Sequence, residues 1–130
     1  MLIRAEGVTK SYGNVQVLKG VSLTIDSSEI VSITGASGAG KTTLLQLLGT
    51  LDKPDSGSIT IASSDLTQLA GNKLADFRNR QIGFVFQFHN LLPEFTALEN
   101  ICMPGLIHGK NEKELKERAM ELLKIGRAHV

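Results

Sequence analysis

The sequence has a single cysteine, no tryptophan, one tyrosine and three prolines among its 130 residues. A lone thiol, Cys102, cannot close an internal disulfide, and no Cys/His cluster has the spacing of a zinc site. Nothing in the cysteine usage argues for an oxidising compartment. Charge of one sign is also missing. The 14 Lys+Arg and 13 Asp+Glu leave a formal net charge of +1, which excludes a polybasic nucleic-acid arm and an acidic solvating tail. No run approaches the ~18 consecutive apolar residues that a membrane span requires. Arg4 and Glu6 fall where a signal peptide would be apolar, so the chain is expected in the cytosol. With 42% apolar and 21% charged residues, the composition is that of a globular protein. The length suits one domain or a piece of one. Glycine is what the chain has in excess, with 13 residues, and their placement carries most of the information.

Two alternating runs open the chain, Leu2 to Val8 and Val15 to Ile25, separated by the turn-forming Ser11-Tyr12-Gly13-Asn14. Val17, Val21, Leu23 and Ile25 alternate with polar neighbours, as in a half-buried antiparallel strand. Ile30-Val31-Ser32-Ile33 is β-branched and bounded by turns, which predicts a short buried strand. Lys41 to Leu51 predicts a helix, with Leu44, Leu45, Leu47 and Leu48 on a broad apolar face and Gly49 and Pro54 ending it. A turn over 52–57 leads into a strand from Ser58 to Ala62, then a helix from Leu66 to Arg80 interrupted near Gly71. Ile82 to Phe88 predicts a strand with Phe84, Phe86 and Phe88 on one face, and Asn90 to Glu94 an irregular loop. Glu112 to Lys124 is amphipathic, with Leu115, Ala119, Leu122 and Leu123 together and Glu112–Lys116 and Glu114–Arg118 as i,i+4 pairs. The order β-β-β-α-β-α-β-α predicts a mixed α/β protein.

Gly35-Ala36-Ser37-Gly38-Ala39-Gly40-Lys41-Thr42 fits the pattern G-x-x-x-x-G-K-[ST] at every position, between a predicted strand and a predicted helix. Wrapping a phosphate in consecutive backbone N–H groups demands conformations and close approaches that glycine permits. The following helix adds its unpaired N–H groups and positive dipole end. In this chemistry Lys41 supplies a point charge to the β/γ oxygens and the Thr42 hydroxyl is placed for Mg²⁺. The expected ligand of the loop is therefore a nucleotide, held by its phosphates, with Mg²⁺; which nucleotide, ATP or another, the loop does not say. A small-molecule kinase, a GTPase and a transport ATPase remain compatible with the loop alone.

The residues around the loop narrow these choices. Leu51-Asp52-Lys53-Pro54-Asp55-Ser56-Gly57-Ser58-Ile59 resembles the L-x-x-P-x-x-G-x-I stretch of ABC transporter ATPases, and Ile82-Gly83-Phe84-Val85-Phe86-Gln87 resembles their strand ending in the Q-loop glutamine. Phe86 to Asn100, with its L-x-x-x-x-T-x-x-E-N tail, closely resembles the ATPase subunits of lipoprotein-releasing transporters (the LolD type). Macrolide- or peptide-export and cell-division ABC ATPases share much of this segment and stay open as alternatives, as does a kinase-like P-loop module outside the family. The resemblance implies the N-terminal half of an ABC ATPase: a P-loop NTPase core with an N-terminal antiparallel β-subdomain, over residues 1–124.

It further implies that Tyr12 is the aromatic that stacks on adenine. Gly35, Ala36, Ser37, Gly38, Ala39, Gly40, Lys41, Thr42 and Thr43 would bind the nucleotide. Gln87, with Thr42, would reach Mg²⁺, and Lys41 and Gln87 would serve catalysis. By the same resemblance, the segment from Phe88 to Asn100 would receive a membrane permease subunit, with local core packing of Leu91, Leu92 and Phe95 as the competing reading. The implied assembly is an ATPase dimer, peripheral on the cytoplasmic face of the inner membrane. His89 carries no implied role, Cys102 is expected to be a small buried apolar residue, and Ser28 departs from the Lys-Gly-Glu turn common in the family, which predicts a less comfortable turn.

The second half of the family pattern is not in the sequence: no Leu-Ser-Gly-Gly-Gln signature, no hydrophobic strand ending in Asp-Glu and no switch histidine. The chain is thus expected to be a fragment without turnover of its own. Residues 125–130 break from the preceding helix and read as a non-native tail encoded by one frame of a sequencing adapter. A natural short C-terminus is the rival reading.

Overall fold

The computed structural model describes residues 2–125. Strands β1 (Ile3–Tyr12) and β2 (Val15–Ile25) form a hairpin, and β3 (Ser56–Ile61) and β4 (Ser64–Asp65) complete an antiparallel sheet in the order β2-β1-β3-β4. The hairpin is as expected, although β1 runs on to Tyr12. Its register changes midway. Ala5 faces Leu23 and Val8 faces Val21, while on the other edge Glu6 faces Ser58 and Thr9 faces Ser56. β1 therefore carries one extra residue, a bulge at Gly7, whose φ is 58°. Side chains alternate along a strand, so one inserted residue exchanges the two faces. Ala5 is buried before the bulge, and Val8 and Lys10 after it.

The turn across 52–57 closes against this bulge. A Cβ on Gly57 (φ 89°) would stand 2.5 Å from the Glu6 carbonyl oxygen and 2.6 Å from that of Gly7. Helix α1 (Lys41–Leu48) buries Leu44, Leu47 and Leu48, while Leu45 is exposed, so its apolar face is narrower than the sequence predicts. Burying each such leucine contributes roughly 1.5–3 kcal/mol. The helix stops three residues earlier than expected. Thr50 adopts the left-handed conformation (φ 60°) while Gly49 does not. The Leu51 N–H donates to the Gln46 carbonyl (2.9 Å) and the Thr50 N–H to that of Leu47 (3.1 Å), the paired bonds of a Schellman cap. Thr50 tolerates that position because it is buried and its Oγ1 accepts from Arg78 Nε at 2.9 Å. The helix expected over 66–80 divides into a 3-10 turn, Leu66–Gln68, and α2 (Gly71–Gln81).

The described residues form two compact units that divide between Arg78 and Asn79, inside α2. In the second unit lie α3 (Ala97–Ile107) and α4 (Glu112–Ile125). Gly105 of α3 lies against Leu115 of α4, with no room between them for a Cβ. Cys102 is buried, as expected, and is a free thiol. Helix α4 follows the predicted span. Lys116 pairs with Glu112 at 2.6 Å, but Arg118 turns to Glu121 (2.7 Å) instead of Glu114. Ile125 continues α4, and the rest of the tail, 126–130, lies outside the described residues. No helix among the described residues is long and apolar enough to cross a membrane.

Two predicted strands are absent. Ile30–Ile33 has no regular structure, and Ile30 is 99% exposed. A strand that is apolar on both faces belongs inside a parallel sheet and needs neighbours. No strand among the described residues pairs with it. Residues 82–88 are irregular as well, for the same want of a paired edge, with Val85 and Phe88 exposed. The expected alternation survives only as stacked Phe84 and Phe86 rings, 5.2 Å between centroids. The element order is thus β-β-α-β-β-α-α-α, with the strands confined to the antiparallel sheet. Helix α3 appears where no helix is predicted. Its start is a capping box: Glu99 N–H donates to Thr96 Oγ1 (3.2 Å), and Thr96 N–H to Glu99 Oε2 (2.8 Å).

Candidate functional site: the glycine-rich loop and the tyrosine beside it

The loop Gly35–Gly40 enters α1 with three glycines at positive φ: Gly35 at 153°, Gly38 at 77° and Gly40 at 88°. Gly40 is the N-cap of α1 and has no side chain with which to cap it, so the first helical N–H groups stay available to a ligand. Gly40 is held twice. Its backbone is left-handed, and a Cβ there would stand 2.8 Å from Leu18 Cδ2 and 3.0 Å from Val17 Cγ1 of β2. The loop's entry into α1 is thereby packed directly on the hairpin. Ala36, Ser37 and Ala39 are exposed along the loop, and the Ala39 N–H donates to the Ala36 carbonyl at 3.2 Å.

Lys41 Nζ donates to the carbonyl oxygens of Gly35 (2.9 Å) and Ala36 (2.6 Å). The ammonium thereby ties the α1 start back to the first two residues of the loop. Thr42, on the first turn of α1, is exposed, and Thr43 is half-buried. Among the described residues no group of three or more His, Cys, Asp and Glu side chains could hold a metal ion.

Tyr12 is 47% exposed and belongs to a network that the sequence reading missed. Its hydroxyl donates to Asp52 Oδ2 (2.8 Å), and Lys10 Nζ stands 5.3 Å from its ring centroid. Lys10 Nζ donates to Asp52 Oδ1 (2.9 Å) and to the Lys53 carbonyl (2.7 Å). The Ser11 N–H donates to Asp55 Oδ2 at 2.7 Å. The hydrogen bond to Asp52, with the Asp52 and Asp55 charges, raises the Lys10 pKa against the desolvation that lowers it. Lys10, Tyr12 and the Lys53 N–H hold the Asp52 carboxyl below its ordinary value. The Tyr12 hydroxyl is pushed up, chiefly by its hydrogen bond to Asp52, while Lys10 and a hydrogen bond with Thr43 oppose the shift. Lys10, Tyr12 and Asp52 thus meet, although they come from β1 and the turn after α1. The sequence does carry a signal for this network. Lys10 alternates with Val8 and Tyr12, and a charged residue in the inward phase of a strand needs a partner.

Gln87 belongs to the second unit and is exposed on the irregular segment 82–88. In the same unit, Asn100 organises the loop before α3. Its Oδ1 accepts the Leu92 N–H (2.8 Å), and its Nδ2 reaches the carbonyls of Leu92, Phe95 and Thr96 at 3.0–3.1 Å. Leu91, Leu92 and Phe95 are exposed on this braced loop, so they are not local core.

The lipoprotein-releasing system ATP-binding protein LolD of Bacteroides thetaiotaomicron is 58% identical over 122 residues, 94% of this chain and 56% of that protein. The protein of the same name from Porphyromonas gingivalis is also 58% identical, over 95% of this chain and 56% of its own length. The chain thus spans a little over half the length of these relatives. Among solved structures, a dimeric post-hydrolysis state of the ATP-binding cassette MJ0796 bound to ADP and Pi superposes with a TM-score of 0.89 at 38% identity. The match covers 98% of this chain and 58% of that one. The antiparallel sheet, glycine-rich loop and helices are therefore those of the N-terminal half of an ATP-binding cassette. The family model described as ABC transporter matches residues 18–129, and the chain belongs to the ABC transporter family.

Proposed function

We propose that the chain is the nucleotide-binding N-terminal part of the ATPase subunit of a lipoprotein-releasing transporter, spanning residues 1–124. In the whole protein, ATP binding and hydrolysis would drive release of lipoproteins from the inner membrane. The observation that carries this reading is the loop itself: three glycines at positive φ before a helix with no side-chain cap, and Lys41 resting on two loop carbonyls. The 58% identity to LolD proteins supports the transport system named.

On binding, Lys41 exchanges the Gly35 and Ala36 carbonyls for β/γ-phosphate oxygens, the loop N–H groups surround the phosphate, and Tyr12 stacks on the base. Mg²⁺ in such sites is held through one or two side chains plus phosphates and water. The exposed Thr42 hydroxyl on the first helical turn fits that donor set without a carboxylate cluster. Bound there, the ion would neutralise phosphate charge. Gln87 is proposed as the second residue toward the metal and the attacking water. The exposed apolar residues around the Asn100-braced loop, Phe88 to Asn100, are proposed to receive a membrane permease subunit, with two ATPase subunits pairing on the cytoplasmic face of the inner membrane.

Lys41→Ala tests the site. Charge-assisted contacts are worth about 1.5–3 kcal/mol, or roughly 10- to 150-fold in affinity. The ammonium gives up two carbonyl bonds to reach the phosphate, so the expected loss is toward the lower end, about 10-fold. Titration with a fluorescent ATP analogue reads it directly, and equal affinity of the two forms would remove the loop as a phosphate site.

A further inference from the structure

We propose that Lys10 and Asp52 are positioning residues that set the ring of Tyr12 for a nucleotide base, an inference that rests on the nucleotide-site reading above. An exposed tyrosine on a strand end is ordinarily free to change rotamer, and a base that stacks on it must first immobilise it. Here the ring is held before any base arrives. The two Asp52 oxygens divide their partners. Oδ1 accepts Lys10 Nζ and the Lys53 N–H (2.7 Å), and Oδ2 accepts the Tyr12 hydroxyl. Asp52 is therefore held through Oδ1 by two donors while Oδ2 takes the hydroxyl. Lys10 is itself buried, with 11% of its side chain exposed, and its ammonium also lies over the Tyr12 ring. Ring, carboxylate and ammonium form a closed set that leaves much of the ring open to solvent.

The bulge at Gly7 puts Lys10 and Tyr12 in the same phase of β1 as the buried Val8. The Schellman cap at Thr50 ends α1 two residues before Asp52.

The experiment separates base from phosphate. Binding of ATP and of inorganic tripolyphosphate is measured by calorimetry for the purified chain and for Asp52→Ala, Tyr12→Phe and the double variant. Tyr12→Phe keeps the stacking ring and removes only the hydroxyl that Asp52 holds, so it serves where Asp52→Ala fails to fold. A side chain left to be immobilised on binding weakens affinity by roughly 2- to 12-fold. That loss is expected for ATP in each single variant, with no loss for tripolyphosphate and no further loss in the double variant. Equal losses for both ligands, or ATP binding unchanged in Tyr12→Phe, would make the cluster a clamp on the 52–55 turn and overturn the inference. Equal affinity of the unaltered chain for ATP and tripolyphosphate would remove the base contact itself, and with it the inference. Binding of neither ligand would instead overturn the phosphate-loop reading on which it rests.

Discussion

Replacing Gly57 by alanine should damage the first unit more than any other single methyl group in the sheet, and the geometry sets the scale. The new Cβ would sit 2.5 Å from the Glu6 oxygen, 2.6 Å from the Gly7 oxygen and 2.7 Å from the Gly7 carbonyl carbon. All three are backbone atoms in the bulge of β1, and a backbone carbonyl cannot rotate away as a side chain does. The residue also keeps φ at 89°, and the left-handed region costs an L-residue about 1–2 kcal/mol. Forcing a methyl into filled space adds roughly 1–3 kcal/mol. Gly13→Ala is the control: φ is 58° there and nothing lies within 4 Å of the added Cβ, so it carries the backbone penalty alone. Gly57→Ala should therefore melt lower than Gly13→Ala by about 4–24 °C, taking 4–8 °C per kcal/mol for a unit of this size. Thermal unfolding followed by circular dichroism measures the difference. Equal melting temperatures would refute the reasoning, because they would mean that the turn and the bulge are not in contact.

Thr96→Ala removes the hydroxyl that caps α3, and unfolding in urea should show a loss of about 1 kcal/mol, with Thr96→Ser retaining most of it. Acid should also act through Asp52. Its folded pKa is depressed from 3.8, so its contribution is present above that value and is lost as the pH falls through and below it. Urea midpoints between pH 5 and pH 3 should fall less steeply for Asp52→Asn than for the unaltered chain, and parallel slopes would contradict the Lys10–Asp52 pairing. Lys10 works in the opposite direction: its raised pKa gives a contribution that is full below 10.5 and fades as the pH climbs past it. The alkaline midpoints of a Lys10→Met variant should fall less steeply than those of the unaltered chain, the raised Tyr12 hydroxyl still titrating there, and equal slopes would contradict the pairing.

The left-handed turn at Ser28 illustrates how far local reasoning reaches. A departure from a glycine-containing turn predicts discomfort, and Ser28 indeed holds φ at 65°. The same local reasoning could have found α3. Thr96-x-x-Glu99 before an apolar run is a helix start readable from sequence, but Pro104 and Gly105 obscure the helix beyond it. Local reasoning fails at α1, where glycine is the expected left-handed residue and Thr50 takes the position instead. The compensating bond comes from Arg78, 28 residues away, and no window on the sequence contains both.

The glycine-rich loop, the hairpin and α4 were legible in the sequence because each rests on neighbours in the chain: glycines at fixed offsets, a period of two, a period near 3.6. Membership of the ABC transporter family was legible through the resemblance of the stretches 51–59, 82–87 and 86–100, in that order. The tertiary structure decided the rest. An extra residue at Gly7 reversed the faces of β1 and brought Lys10 and Tyr12 to Asp52, and alternation alone contains no mark of where a bulge falls. Ile30–Ile33 has the composition of a buried strand but stands exposed. Strand propensity is only a fitness for pairing, and a parallel strand forms when distant segments of chain supply the edges on either side of it.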